Sequence, residues 1–566
     1  MARKIIVVGG VAGGASAAAR LRRLDENAAV TVYERGADAS FSNCSLPFLL
    51  SGIVPTADAL VMVTPEKFRA QYNLDVRTRH EVAEIDRAGK RVRVKDLEAG
   101  TEFWDGYDQL VLSPGANPLL PPIPGLDTAN VFTVKDVGDI RRLDGFLRDS
   151  GARELIVVGG GFIGLEVAEN LCLAGVKVTL VEAMDQVMAP LDRDMAQILH
   201  KVLFDRGIEL VLGSGVARLH PDGVELADGR RFTAPGVVMA LGVRPEVTLA
   251  RQCGLELGET GGILVDSHCR TSDPDIYAVG DAIEVKNRLT GRAMRLTQAG
   301  PAQKQARAAA DNICGGDETV GPFLGSSVIH LFDWTAACTG LNEKAAKAAG
   351  LDCDFVYVLP GDRVGLMPGA TPVHFKLLFD PATGRVLGAQ AVSRGAADKR
   401  VDVVATLIAM GGTLEDLKNL ELCYAPMYGT AKDVVNYAAL VALNVKNGVF
   451  RQVPVTAVRE LVERKACIVD VREAPEYEAG HIVGAVNIPL SQLRRRADEI
   501  PRDRPVYLHC RTSQRSYNAI MALQGMGWDR DKLFNISGSF LGLSYHEYFT
   551  DQVTGREKIV TPYNFN

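Results

Sequence analysis

Over roughly the first 325 residues, short apolar runs rich in β-branched side chains alternate with Ala-rich stretches. Lys4-Ile-Ile-Val-Val8 and Glu154-Leu-Ile-Val-Val158 are continuous apolar runs, the pattern of strands buried on both faces of a parallel sheet. Each is followed by glycines, Gly9-Gly10 and Gly159-Gly160-Gly161, and then by a helical stretch. Each unit continues to a second strand ending in an acid, Val32-Tyr33-Glu34 and Leu180-Val181-Glu182. The pattern predicts an α/β fold with two Rossmann-like units. From about 326 to 445 the character changes to α+β, mixing strands such as His374–Phe379 with helices over Leu341–Ala349 and Val401–Met410. The polar stretch Lys446 to Val453 reads as a linker. Cys467–Asp470 and Val506–His509 are strands of a separate small α/β unit, and the tail after Val553 has no clear pattern.

Composition narrows the picture. A chain of 566 residues exceeds one core and predicts several domains. A net charge of -6 argues against a general nucleic-acid binder. No signal-peptide pattern precedes the strand at Lys4, and no apolar run is long enough to span a bilayer. A cytoplasmic protein in a reducing compartment is expected. The ten cysteines form no CxxC pair and no zinc spacing, so no metal site is expected. Cys44 and Cys510 stand in unusual contexts.

The first turn, Gly9-Gly10-Val11-Ala12-Gly13-Gly14, departs from GxGxxG because Val11 replaces the second glycine. Gly9 can still make the tight turn and Gly14 can still let the helix pack on the strand. A diphosphate would sit on the helix N-terminus, and Glu34 could accept from ribose hydroxyls. A glycine turn without a ligand is the blander reading. Strand, turn, helix and acid together favour a dinucleotide. Ile276-Tyr-Ala-Val-Gly280-Asp281 ends a strand in a Gly-Asp pair suited to a ribityl or diphosphate group, which points to FAD. Leu110-Val-Leu-Ser113-Pro-Gly115-Ala116 resembles the crossing between an FAD and an NAD domain.

The second turn, Gly159-Gly-Gly161-Phe-Ile-Gly164, is a complete GxGxxG. Glu182 ends the next strand and is not followed at once by an arginine, which favours the free 2′-hydroxyl of NADH, with NADPH as the alternative. Leu241-Gly242-Val-Arg244-Pro245 resembles the closing strand and loop of such a domain, with Arg244 equally readable as a surface charge.

Ser40-Phe-Ser-Asn43-Cys44-Ser-Leu-Pro47 follows the first unit. Here the first 445 residues resemble the single-cysteine, coenzyme A-disulfide reductase branch of the pyridine nucleotide-disulfide oxidoreductases. The resemblance implies that electrons pass from NADH through FAD to Cys44, which forms a mixed disulfide with half of its substrate. Stabilisation of the thiolate by a helix N-terminus or by neighbouring polarity is expected. It also implies FAD or NAD contacts at Val82 and Ala299. Coenzyme A contacts are implied at Ser16, Arg20, Arg23, Ser40 and Asn43; Arg20 and Arg23 share a helix face, where they could hold phosphates. Tyr424 and Lys432 match positions supplied across a dimer interface, where a tyrosine hydroxyl could protonate a leaving thiolate. Leu366 stands in a stretch where the family often has a tyrosine. A sulfenic-acid Cys44, as in related NADH oxidases and peroxidases, is the rival chemistry.

His509-Cys510-Arg-Thr-Ser-Gln-Arg515-Ser516 follows a strand and precedes a helix. Such a loop turns consecutive N–H groups toward the Cys510 sulfur, with Arg515 adding positive charge. With Asp470-Val-Arg472-Glu473 and Gly480-His-Ile-Val-Gly484, this stretch resembles rhodanese domains. Four residues separate Cys510 from Arg515, one fewer than in the related phosphatases, which favours sulfur over phosphate. The expected organisation is an FAD-binding domain in two parts (1–150 and 266–325), an NAD(H)-binding domain (151–265), a dimerisation domain (326–446) and a rhodanese domain (452–553). The expected activity is NADH-dependent reduction of coenzyme A disulfide or persulfides at Cys44, coupled to sulfur transfer at Cys510, in a homodimer. A sulfurtransferase with a regulatory flavin module and a non-enzymatic sulfur carrier remain as alternatives.

Overall fold

The computed structural model describes residues 2–127 and 129–565. The chain divides into two compact units: one runs up to Ala183 and resumes over Ser214–Phe323, and the other joins Met184–Gly213 to the chain from Leu324 onward.

In the first unit the apolar runs become the centres of parallel sheets. Lys4–Val8 lies between Ala29–Tyr33 and Gln109–Leu112, with Asp75–Arg77 and Ile276–Ala278 at the edges. The register pairs Val8 with both Tyr33 and Leu112, and Leu112 with Ala278. The strands therefore end level, bringing Gly9, Glu34, Ser113 and the Gly280-Asp281 turn to one sheet edge, the place where open α/β sheets bind ligands. Helices Ala12–Leu24 and Ala299–Ile313 share a core through Ala17, Ala18, Leu21, Ala306, Ala309 and Ala310. Small side chains let such helices approach closely. Glu154–Val158 likewise lies between Lys177–Glu182 and Val237–Met239, with both pairings parallel. An antiparallel sheet of His80–Asp86, Arg91–Asp96 and Thr101–Gly106 contains Val82, which is buried.

The second unit carries the antiparallel sheet Ser327–Leu331, Trp334–Gly340, Val386–Ser393, His374–Phe379 and Asp354–Val358, in that order. Helices form over Glu343–Ala349 and Ala397–Ala409, close to their expected ranges. Segment 184–213 docks here through charge: the Lys376 ammonium, almost fully buried, bonds Asp194 at 2.9 and 3.0 Å, and Asp192 and Glu343 converge on it. A buried ammonium persists only when such partners replace its water.

The C-terminal sheet is parallel, ordered Arg451–Pro454, Leu533–Ser537, Val506–His509, Cys467–Asp470 and Val486–Asn487. Two expectations are corrected. The stretch read as a linker ends helix Val434–Lys446 and then enters strand Arg451–Pro454. That strand is polar because it is an edge, with Arg451 exposed. The patternless tail also has structure: helix Ser539–Thr554 runs past Val553, and Val560–Thr561 pairs antiparallel with His481–Ile482. Arg459 and Arg556 bond the buried Glu547 and Asp551, anchoring the tail through charges that no hydrophobic pattern reveals.

Candidate active sites

The two glycine turns are near copies in space. Gly9 has φ +95° and Gly159 φ +111°, backbone that only glycine adopts easily. A Cβ on Gly9 would lie 2.1 Å from the Ser113 carbonyl oxygen, and one on Gly159 would lie 2.3 Å from that of Ala240. Gly14 and Gly164 each press against the first glycine of their own turn, where a Cβ would fall within 1.8 and 1.9 Å of its carbonyl oxygen. Val11 needs no left-handed backbone: its φ is -106°, so a β-branched residue fits where a glycine was expected. Around Gly161 and Gly242 nothing lies within 4 Å of a built Cβ, so the space beside the turn is open.

The two acids also behave alike. Glu34 Oε2 accepts from the Gly10 N–H at 2.7 Å, and Glu182 Oε2 accepts from the Gly160 N–H at 2.6 Å. Neither Val11 nor Gly161, the residues that open the two helices, supplies a side-chain cap. Uncapped N–H groups at a helix dipole's positive end suit a diphosphate. In the first site Gly115 has φ +72°, and Asp281 is buried enough that desolvation raises its carboxyl pKa, opposed by Lys135. Ala299 opens the helix that packs on Ala12–Leu24. These residues fit an FAD in the first site and an NAD(H) in the second.

Cys44 lies in the first turn of the 3-10 helix Asn43–Leu49 and is exposed. Its loop is tied to both nucleotide units. The Ser40 N–H donates to the Gly10 carbonyl at 2.8 Å, and the Ser51 hydroxyl donates to Asn170 Oδ1, on helix Phe162–Leu173, at 2.6 Å. The expected stabilisation of the Cys44 thiolate is not supplied by the surrounding side chains. Partial burial raises the thiol pKa, and the Glu166 and Asp281 carboxylates add to the rise. Glu166 was missed in the sequence. It stands two residues after Gly164, and burial, reinforced by Glu169, pushes its carboxyl up to about 7.

Of the expected coenzyme A contacts, Ser16, Ser40 and Asn43 are partly exposed, and Arg23 is exposed. Arg20 is held by Asp311, with Nε and Nη2 donating to Oδ1 at 3.0 and 2.6 Å. In the second unit Tyr424 is half exposed, Leu366 is 88% exposed and Lys432 is exposed. Arg400 steadies that loop through the Tyr428 carbonyl and Asp433.

Cys510 ends the run after strand Val506–His509 and is buried. The Ser516 hydroxyl lies 3.7 Å from its sulfur while donating to Asn535 Oδ1 at 2.7 Å, and the Cys510 backbone N–H donates to Ser539 Oγ at 2.9 Å. Ser513, at φ +74°, turns the loop into helix Gln514–Gly525 without a side-chain cap. Arg515 forks onto Glu476 at 2.6 and 2.7 Å, and that bond with the nearby Cys510 keeps its pKa raised. Glu476, whose pKa Arg515 lowers, and Ser516 and Ser539 were not singled out by sequence. Arg472 is fully buried, bonded to Asp470 and the Gly480 carbonyl, with its guanidinium 4.0 Å over the Phe540 ring.

Residues 3–306 match the pyridine nucleotide-disulphide oxidoreductase model, 326–433 its dimerisation domain and 455–545 the rhodanese-like domain. The chain belongs to the pyridine nucleotide-disulphide oxidoreductase family and carries a rhodanese-like domain. Among solved structures it resembles reduced Bacillus anthracis CoADR-RHD, with TM-score 0.93 and 41% identity over 96% of this chain and 98% of that one. It also resembles an NAD-dependent persulfide reductase from A. fulgidus, with TM-score 0.90 and 36% identity over 95% and 99%. A coenzyme A disulfide reductase of Staphylococcus haemolyticus is 33% identical over 437 residues, covering 77% of this chain and 98% of that protein.

Proposed function

We propose that this chain is an NADH-dependent, FAD-containing reductase of coenzyme A persulfide or disulfide whose rhodanese-like domain handles sulfane sulfur at Cys510. The observation that carries the reading is the position of Cys44, on a loop bonded on one side to the first glycine turn and on the other to the helix of the second. Bound FAD supplies the two-electron path from nicotinamide to sulfur.

The chain's own groups do the rest. The Cys44 thiolate attacks a disulfide or persulfide sulfur, forms a mixed disulfide and expels a thiolate or hydrosulfide. Glu166, with its pKa near neutrality, holds the proton that the expelled sulfur takes up. Two electrons from NADH then cleave the mixed disulfide and restore Cys44. Ser16, Arg20, Arg23, Ser40 and Asn43 hold coenzyme A, with Arg20 oriented by Asp311. Tyr424 and Lys432 serve a partner subunit in a homodimer, a reading supported by the dimerisation-domain match. Glu182 selects NADH by accepting from a free 2′-hydroxyl and repelling a 2′-phosphate. The ten cysteines are unpaired, which supports a reducing, cytoplasmic setting. Among the described residues no helix is long and apolar enough to cross a membrane.

Anaerobic titration with NADH in the presence of coenzyme A persulfide tests the reading. One sulfide released per NADH consumed is expected. Rapid NADH oxidation only when oxygen is admitted, with no sulfur substrate, would assign the sulfenic-acid chemistry instead.

A further inference from the structure

Helix Val434–Lys446 lies between the dimerisation-domain match, which ends at 433, and the rhodanese-like match, which starts at 455. It therefore belongs to neither family model. One of its faces is nevertheless part of the sulfur domain. Val441 and Val445 pack against the core cluster that contains Cys510, Ala519, Ile520 and Leu523. Asn444 Nδ2 donates to the Tyr517 hydroxyl at 3.4 Å, and the Tyr517 ring stands edge-on to Phe450 at 5.2 Å. Residues 441, 444 and 445 share that face, and Tyr437 continues it one turn toward the helix N-terminus. Tyr437 is partly buried, and burial with the neighbouring Cys510 and Tyr517 pushes its phenol up to about 12, so it stays a donor at neutral pH.

We infer that Tyr437 is a wall of the Cys510 site, its hydroxyl donating a hydrogen bond to the outer sulfur of a persulfide carried there. This rests on the reading of Cys510 as a sulfane-sulfur carrier and adds a group that neither motif supplies. The Ser516 hydroxyl already reaches the inner sulfur from helix Gln514–Gly525. Tyr437 approaches from a different helix. A hydrogen bond to an anionic sulfur favours that anion over its protonated form. The other ionisable groups around Cys510 are Arg511 and Arg515 of its loop, Glu476 bonded to Arg515, Tyr517 on the following helix, and His509 with the Asp470–Arg472 pair. A Tyr437→Phe change alters none of them.

The full-length flavoprotein is loaded with thiosulfate: the Cys510 thiolate takes the outer sulfur and sulfite leaves, so charge and atoms balance. Mass spectrometry then checks the gain of one sulfur atom, and the persulfide is alkylated across a pH series. Tyr437→Phe is expected to load sulfur and to shift the alkylation profile upward by about one pH unit. Val441→Ala, which disturbs the same packing without removing a hydroxyl, is expected to leave the profile in place. If Tyr437→Phe loads sulfur and its profile overlies the wild type, or if Val441→Ala shifts it equally, the inference is overturned alone. If the wild type takes up no sulfur at Cys510, the carrier reading falls and the inference falls with it.

Discussion

Cys44 and Cys510 are both proposed to handle sulfur, but their surroundings are opposites. Cys44 is exposed, on a short 3-10 helix, and the ionisable groups beside it are the carboxyls of Glu166 and Asp281. Cys510 is 1% exposed, at the mouth of a helix, with the Ser516 hydroxyl 3.7 Å from its sulfur and Arg515 close by. The first setting raises a thiol pKa and makes the sulfur depend on what binds beside it. The second surrounds a buried sulfur with polar groups that are in place before anything binds, Ser516 on the following helix and the guanidinium of Arg515 held by Glu476. A reductase cysteine must be released by its electron donor after each cycle, whereas a carrier cysteine must hold its cargo. The two environments match the division of labour proposed for them.

The largest expected effect breaks the comparison outright. Cys44→Ser lowers NADH-dependent persulfide reduction by at least ~10³-fold while sulfur loading at Cys510 persists, and Cys510→Ser does the reverse. Paired assays of NADH consumption and thiosulfate sulfurtransferase activity check both halves. Loss of both activities in either single variant would contradict two separable sites.

The next effect removes the positive charge at Cys510. Arg515→Ala lowers sulfurtransferase turnover by about 10²-fold, while Arg515→Lys recovers only part of it, because lysine cannot fork onto Glu476. NADH reduction of bound flavin, measured in the same samples, stays unchanged.

A smaller effect sharpens the Cys44 side. Glu166→Gln removes a carboxylate that raises the Cys44 thiol pKa, so the thiol becomes more acidic. Alkylation of Cys44 in the reduced enzyme at pH 8 should accelerate a few-fold, and a titration near pH 7 should vanish from the pH dependence of turnover.

The smallest effect separates the two units by acid. Burial holds His200 down to about 3 and His546 down to about 4, on helices Arg193–Asp205 and Ser539–Thr554 of the second unit. Their folded pKa values lie below the unfolded one, so below about pH 6.5 the unfolded chain binds protons that the folded chain refuses. Stability therefore falls as pH drops from about 6.5 toward 4, by roughly 1.4 kcal/mol per histidine for each pH unit. Hydrogen exchange at pH 5 and pH 7 should show these two helices losing protection at the lower pH.

Much of this protein was legible in its sequence. The strands Lys4–Val8, Glu154–Val158, His374–Phe379, Cys467–Asp470 and Val506–His509 form over the stretches that the pattern marked, because apolar runs and glycine turns are local signals. Gly9, Gly14, Gly159 and Gly164 were readable for the same reason: each answers a steric demand within its own turn. Tertiary structure alone decided what depends on distant partners. It set the pairing of Arg20 with Asp311, the approach of Glu166 to Cys44 and the fork of Arg515 onto Glu476. It also turned a polar stretch at Arg451–Pro454 into an edge strand and tied a patternless tail down at Asp551. Charge and hydrogen-bond partners carry no periodicity along the chain, so they become visible only once the fold has brought them together.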